Sequence, residues 1–114
     1  MRLNRLPETG FLSGASDQLR QMLESQASEI RLANAEVLFE QGDIGDAFYA
    51  VIEGALEVSI LSAAGRKLSL DLMRPGAVFG EITLFDPGAR TATVAASEPS
   101  RLLRLRNRDI LAQI

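Results

Sequence analysis

Phe79-Gly80-Glu81-Ile82-Thr83-Leu84-Phe85-Asp86-Pro87-Gly88-Ala89-Arg90-Thr91-Ala92-Thr93-Val94 interrupts the rhythm of this chain. On both sides of it, short runs alternate apolar and polar residues with the period of two that marks strands. Within it, Gly80 has no Cβ, so a ligand or another backbone can come close. Residues 81–85 are long enough for one helical turn, whose leading N–H groups would face outward toward an anion. Arg90 stands at the entrance to a strand whose apolar face should be buried. A permanently charged guanidinium is costly there unless an anion pairs with it, and the planar fork matches phosphate. Glu81 repels phosphate but can accept a hydrogen bond from a hydroxyl such as a ribose 2′-OH. The two charges together suit a ribose phosphate better than a bare phosphate.

Outward from this stretch the chain is mostly strand. Toward the N-terminus come 77–79, then the turn Arg74-Pro75-Gly76, then 67–72 with Leu68, Leu70 and Leu72 expected on one face. Ala63-Ala64-Gly65 makes a hairpin loop to 55–61, where Leu56, Val58 and Ile60 oppose Glu57 and Ser59. Further strands are expected at 47–52, 36–40 and 30–32, punctuated by Gly54, Gly45-Asp46, Gln41-Gly42-Asp43 and Asn34. Ser16 can cap a helix through about Ser25, with Leu19, Met22 and Leu23 on its apolar side. Toward the C-terminus, 91–95 and 101–105 are strands, and Asn107 caps a last helix with Asp109 in its first turn. Strands every ~8–12 residues indicate an all-β sandwich or barrel and not a βαβ fold. The expectation is a mainly β, eight-stranded jelly-roll barrel with a short helix at each end and another in the interruption. One domain covers 1–114: an N-terminal helical segment at about 11–26, the barrel at about 28–106, and the start of a C-terminal helix at about 107–114.

Bulk composition removes several classes of function. The 114 residues suffice for one domain, with 46% apolar and 24% charged residues, as in ordinary soluble domains. Cysteine and histidine are absent, which excludes disulfides, thiolate or imidazole metal sites, and imidazole catalysis. A carboxylate-only cation site lacks the Asp-rich loop it would need. The net charge of -3 gives no whole-domain footprint for nucleic acid, and five Phe, one Tyr and no Trp give no stacking platform. Arg101, Arg104, Arg106 and Arg108 form a local basic cluster, read here as solvated surface. Phe48 and Tyr49 read as core and interface residues. No apolar run approaches the ~20 residues that span a bilayer, and residues 1–10 lack a signal-peptide core. The expected location is the cytoplasm.

The stretch resembles the phosphate-binding cassette of the cyclic nucleotide-binding domain family, which includes the catabolite activator protein, kinase regulatory subunits and nucleotide-gated channels. Phe79-Gly80-Glu81, Leu84 and Arg90-Thr91-Ala92-Thr93-Val94 carry the match. Outside it, Gln41-Gly42-Asp43, Asp46-Ala47-Phe48-Tyr49, Val51, Gly54 and Arg74-Pro75-Gly76 resemble the family's turns and third strand, so the likeness runs over about 11–114. The resemblance implies that Glu81 binds the ribose 2′-OH, with the Gly80 backbone beside it, and that Arg90 clamps the phosphate oxygens. It implies backbone N–H donation from Thr83 and Thr91, a Thr91 hydroxyl that reaches phosphate or base, and apolar walls from Ile82 and Leu70.

The implied function is a non-enzymatic sensor of cAMP or cGMP, such as the sensor part of a bacterial transcription regulator. No catalytic residue, metal or cofactor is expected, and this chain is not expected to touch nucleic acid. A homodimer is compatible with the resemblance. Two other readings stand beside it. A barrel of the same family that has lost nucleotide binding could serve only in assembly. A cupin-type enzyme would need a histidine-rich metal site, which this sequence cannot build. Thr91 leaves the choice of base open, because a Thr after the cassette Arg accompanies cGMP selectivity in eukaryotic members, whereas bacterial regulators mostly use cAMP. Family members continue into a long helix that caps the base, whereas residues 107–114 supply about two turns. Output and partner are therefore open.

Overall fold

The computed structural model describes residues 17–80 and 88–111. Helix α1 (Asp17–Gln26) leads into eight strands: β1 (Ser28–Leu32), β2 (Val37–Phe39), β3 (Ala47–Glu53), β4 (Leu56–Leu61), β5 (Lys67–Met73), β6 (Val78–Phe79), β7 (Thr93–Ala96) and β8 (Ser100–Arg106). Helix α2 (Asn107–Leu111) follows directly. The strands form two four-stranded antiparallel sheets, β1-β8-β3-β6 and β2-β7-β4-β5. Strand one pairs with eight, two with seven, three with six and four with five, which is the pairing of a jelly roll. The expected helix within 81–85 lies outside the described residues.

Period two on β3 and β8 sorts the interior into two layers. Ala47, Tyr49, Val51 and Leu102 face between the sheets, where Leu32, Leu56, Val94 and Ala96 meet them. Phe48, Ala50, Leu103 and Leu105 face the other way and bury Leu23 of α1. Phe48, Leu56, Leu102, Leu103 and Leu105 are wholly buried, each contributing roughly 1.5–3 kcal/mol of apolar burial. Phe48 is thus core, as the sequence implied. At Gly54 the chain turns with φ +91°, and a Cβ there would lie 2.2 Å from Ser100 Oγ and 2.5 Å from the Pro99 carbonyl. That contact leaves room only for glycine.

Strand β5 corrects the expected alternation. Val58 opposes Asp71 but Ser59 opposes Ser69, so the register slips and Leu70 has no cross-strand partner. Leu72 then lies opposite Glu57, while Leu68 lies opposite Ile60 on the other face. The Glu57 carboxylate confirms the slip. A hydrogen bond from Lys67, desolvation notwithstanding, holds it below its ordinary range, with Ser69 as a further donor. Lys67 and Ser69 therefore share the Glu57 face, which a regular strand would have denied to Leu72. One extra residue re-aims half of a strand.

Candidate functional site

Arg90 is fixed through its backbone before its side chain is considered. Its N–H donates to the Asp43 carbonyl at 2.6 Å, and its carbonyl accepts from Gly42 N–H at 2.8 Å. Gly45 N–H donates to the Gly88 carbonyl at 2.9 Å, and Ile44 bridges Ala89. The turn Gln41-Gly42-Asp43, which the sequence marked only as a turn, is thus the clamp that aims Arg90. Gln41 itself receives a hydroxyl contact, its N–H donating to Thr93 Oγ1 at 2.9 Å.

The Arg90 side chain enters the space between the sheets, with only 7% of the residue exposed. Nη2 donates to the Ala47 carbonyl at 2.6 Å. The guanidinium carbon lies 4.2 Å from the Phe39 ring centre and 5.7 Å from that of Tyr49. A desolvated cation over aromatic faces gains about 2 kcal/mol. Tyr49 stacks on Phe79 at 5.3 Å, and Phe39 tilts against both rings. The ordinary stabiliser of a buried arginine is a carboxylate, and no ion pair joins Arg90 to any among the described residues. The cation is held by backbone oxygen and ring faces, and a guanidinium carries further N–H donors of the kind an anion accepts.

Gly80 belongs to this constellation. Its φ is +82°, and a Cβ would fall 2.8 Å from Arg90 Nη1 and 3.2 Å from the Ala47 carbonyl. The positive φ and the close approach explain one another: only glycine lets the chain pass the guanidinium here. Of the expected site residues, the structure brings Gly80 and Arg90 together. Thr91 is exposed in a bend beside them. Leu70, at the register slip, is 57% exposed. Glu81, Ile82 and Thr83 lie outside the described residues.

Sequence reasoning missed Phe39 and the Ala47 carbonyl, and it gave Tyr49 no part in the site. Parity along β3 was the available signal, since Tyr49 shares its face with Ala47 and its ring with the arginine. Burial pushes the Tyr49 phenol above its ordinary range, against the pull of Arg90 and, less, of Arg104; Asp46 adds to the rise. The basic cluster on β8 also needs correction. Arg108 is exposed, but Arg101 is an ion-paired residue with a 13% exposed side chain and Arg104 is half-buried. Alternation in the strand divides them: Arg104 shares the inter-sheet parity of Leu102, whereas Arg101 shares that of Leu103.

A cavity of about 540 Å³ lies elsewhere, lined by Glu29, Arg31, Leu32, Glu53, Pro99, Ser100 and Arg101. Its charges already answer one another: Arg101 reaches Glu29 at 3.3 Å and Glu53 at 3.1 Å. It is larger than a ligand of modest size needs, yet it offers no unbalanced charge. Among the described residues no group of three or more Asp or Glu could hold a metal ion, and no helix is long and apolar enough to cross a membrane.

The jelly roll thus holds a buried arginine between its two sheets on backbone oxygen and aromatic faces. Comparison with known proteins places this fold in a family. The model of the family described as "Cyclic nucleotide-binding domain" matches residues 29–114, and the chain belongs to that family. It is 40% identical over 77 residues to the cyclic AMP receptor protein of Thermus thermophilus, covering 68% of this chain and 36% of that protein. It is 28% identical over 106 residues to a CRP-like cAMP-activated global transcriptional regulator of Mycobacterium tuberculosis, covering 93% and 47%. The solved N-terminal domain of a transcriptional regulator from Streptomyces coelicolor superposes with a TM-score of 0.87 at 34% identity, covering 98% of this chain and 79% of that one. The chain spans about a third to a half of the length of these two curated relatives.

Proposed function

We propose that this chain is a regulatory module that binds a 3′,5′-cyclic nucleotide without turning it over, cAMP being the first ligand to test. The observation that carries the reading is Arg90: buried, held by the Ala47 carbonyl and aromatic faces, and free of any carboxylate among the described residues. In this reading Arg90 clamps the exocyclic phosphate oxygens and Gly80 gives the ribose room. Glu81 takes the 2′-OH, Thr83 and Thr91 donate backbone N–H groups to the phosphate, and Ile82 and Leu70 supply apolar contact. The preference for cAMP follows the cyclic AMP receptor protein of Thermus thermophilus and the cAMP-activated regulator of Mycobacterium tuberculosis. A cytoplasmic location, a homodimer and an output in transcription belong to the same proposal.

Calorimetric titration of the folded chain with cAMP and with cGMP is the direct test. Saturable one-site binding by either supports the reading, and the stronger ligand settles the base. No heat from either at millimolar concentration defeats it and leaves the assembly role, which the ordered turns and complete core would serve unchanged.

A further inference from the structure

Arg90 is not the only guanidinium at this end of the sandwich. Arg104 lies opposite Tyr49 in the β3–β8 register, and Arg106 lies opposite Ala47. Directly opposed residues of an antiparallel pair share a face, with Cβ atoms ~4.5–5.5 Å apart. Ala47 and Tyr49 line the inter-sheet space, so Arg104 and Arg106 leave β8 on that side too. Arg90 arrives from the segment before β7, in the other sheet, and touches these same two β3 residues: it donates to Ala47 and lies against Tyr49. Three cations thus converge on one short length of β3, in a molecule whose net charge is -3.

Their partners are unequal. Arg90 has its backbone oxygen, whereas Arg104 Nε is buried and has no hydrogen-bond partner. No ion pair joins Arg104 to any carboxylate among the described residues, in contrast to Arg101 three residues earlier. An orphaned donor on a permanent charge carries a desolvation cost that no described neighbour repays. Arg101 on the outer face is paired, and Arg104 is not paired with any described carboxylate.

We propose that Arg104 is a second anion-binding residue of the inter-sheet site, so that the anionic group of the ligand is held between guanidiniums from both sheets. This rests on the nucleotide-site reading above and extends it. Arg104 fixes the side of the anion that Arg90, tethered to Ala47, does not reach. The site accordingly favours ligands whose negative charge is spread over several oxygens, as on a phosphodiester or a pyrophosphate, over singly coordinated carboxylates.

The chain carries its own reporter, because Tyr49 is its one tyrosine and tryptophan is absent. Wild type, Arg104→Met, which keeps the apolar stem, and Arg104→Lys, which keeps the charge, are titrated with cAMP by tyrosine fluorescence and calorimetry. Arg104→Met is expected to bind about tenfold more weakly, the size of one charge-assisted hydrogen bond, with Arg104→Lys in between. Unchanged affinity in Arg104→Met overturns the role of Arg104 while leaving the nucleotide site standing. If wild type binds neither cAMP nor cGMP, the nucleotide reading fails, and inorganic pyrophosphate decides about Arg104. Thermal stabilisation of wild type by pyrophosphate that is lost in Arg104→Met supports the anion role; equal stabilisation, or none in wild type, overturns it. Should Arg104→Met not fold, Arg104→Lys decides: geometry-sensitive loss of affinity supports the proposal, and affinity equal to wild type removes it. Absorbance titration of the Tyr49 phenol checks the placement independently, since a guanidinium facing the ring must shift its ionisation to lower pH and Arg104→Met must shift it to higher pH. Asp46 and Arg90, the other charges acting on that phenol, are unchanged in every variant.

Discussion

Arg90 and Arg101 lie on opposite sides of the β1-β8-β3-β6 sheet, and the fold treats their charges in different ways. Arg101 lies on the outer face of the β1-β8-β3-β6 sheet between Glu29 and Glu53, and its charge is spent on those carboxylates. Arg90 is more deeply buried yet, among the described residues, is held by a carbonyl and two ring-bearing side chains and by no carboxylate. Removing an arginine from water without a counter-ion is the costlier choice, so it needs a reason other than stability. The contrast separates a charge that fastens strands from a charge that the proposed function assigns to a ligand. A glycine guards each: Gly54 passes Ser100 beside Arg101, and Gly80 passes Arg90.

The contrast predicts that damage near Arg101 costs fold and damage near Arg90 costs ligand. The largest effect is expected from Gly54→Ala. Its Cβ would meet Pro99 and Ser100 backbone atoms at 2.5 and 2.7 Å at a φ of +91°, so the corner must move. Overpacking and a left-handed alanine together cost about 4 kcal/mol, read as a lower melting temperature and denaturation midpoint. The surviving folded fraction should bind nucleotide with wild-type affinity; a binding defect beyond the unfolded fraction would break the separation.

Next comes Arg90→Ala, expected to weaken cAMP binding at least a hundredfold, about 2.7 kcal/mol, by removing charge-assisted bonds to phosphate. Its stability should fall by only about 1–2 kcal/mol, the lost ring and carbonyl contacts. Affinity within threefold of wild type would return Arg90 to a purely structural role. Gly80→Ala should do both things more mildly. A strained φ costs about 1–3 kcal/mol, and the new methyl 2.8 Å from Nη1 pushes the guanidinium off its line. Circular dichroism melts and the same titrations should show both losses in one variant. Arg101→Met lies at the bottom of this series, at about 0.2–1 kcal/mol for a partly exposed pair, with binding untouched.

How far the sequence anticipated this division depends on what each element needed. Strand positions and order were legible because period two survives wherever one face is buried, as at Ala47, Tyr49 and Val51 against Phe48 and Ala50. Gly80 and Arg90 were legible only together with Glu81, at the spacing of the cassette; taken singly they read as a turn glycine and a solvated arginine. The slip at Leu70 was not, since a bulge arises from how two strands meet and neither strand encodes it alone. Nor was Arg104 separable from Arg101 and Arg108 by composition: in a run rich in arginine, only the register against β3 tells which of them look inward. Phe39 was hidden for the same reason, its role depending on β7 bringing Arg90 over its ring.

A final, smaller effect tests whether the Arg90 end is as buried as the contrast requires. Burial raises the Tyr49 phenol against the opposing pull of Arg90 and Arg104, and the net direction is upward from 10.0. The unfolded phenol ionises near its ordinary value, so above that pH the native state keeps a proton the unfolded chain has lost. Stability tied to Tyr49 is therefore complete below about pH 10 and declines as pH rises through the higher native value. Tyr49→Phe should remove that decline from denaturation midpoints measured at pH 9 to 11, whereas Arg101→Met, which touches no phenol, should keep the wild-type slope. Bound cAMP places negative charge beside the same guanidiniums, weakens their pull on the phenol and shifts its ionisation to still higher pH. The alkaline decline should then still begin near the ordinary phenol value but continue to higher pH in the complex. A Tyr49 titration indifferent to cAMP would mean that the ligand phosphate lies away from the Arg90–Tyr49 contact, and the contrast between the two arginines would lose its functional half.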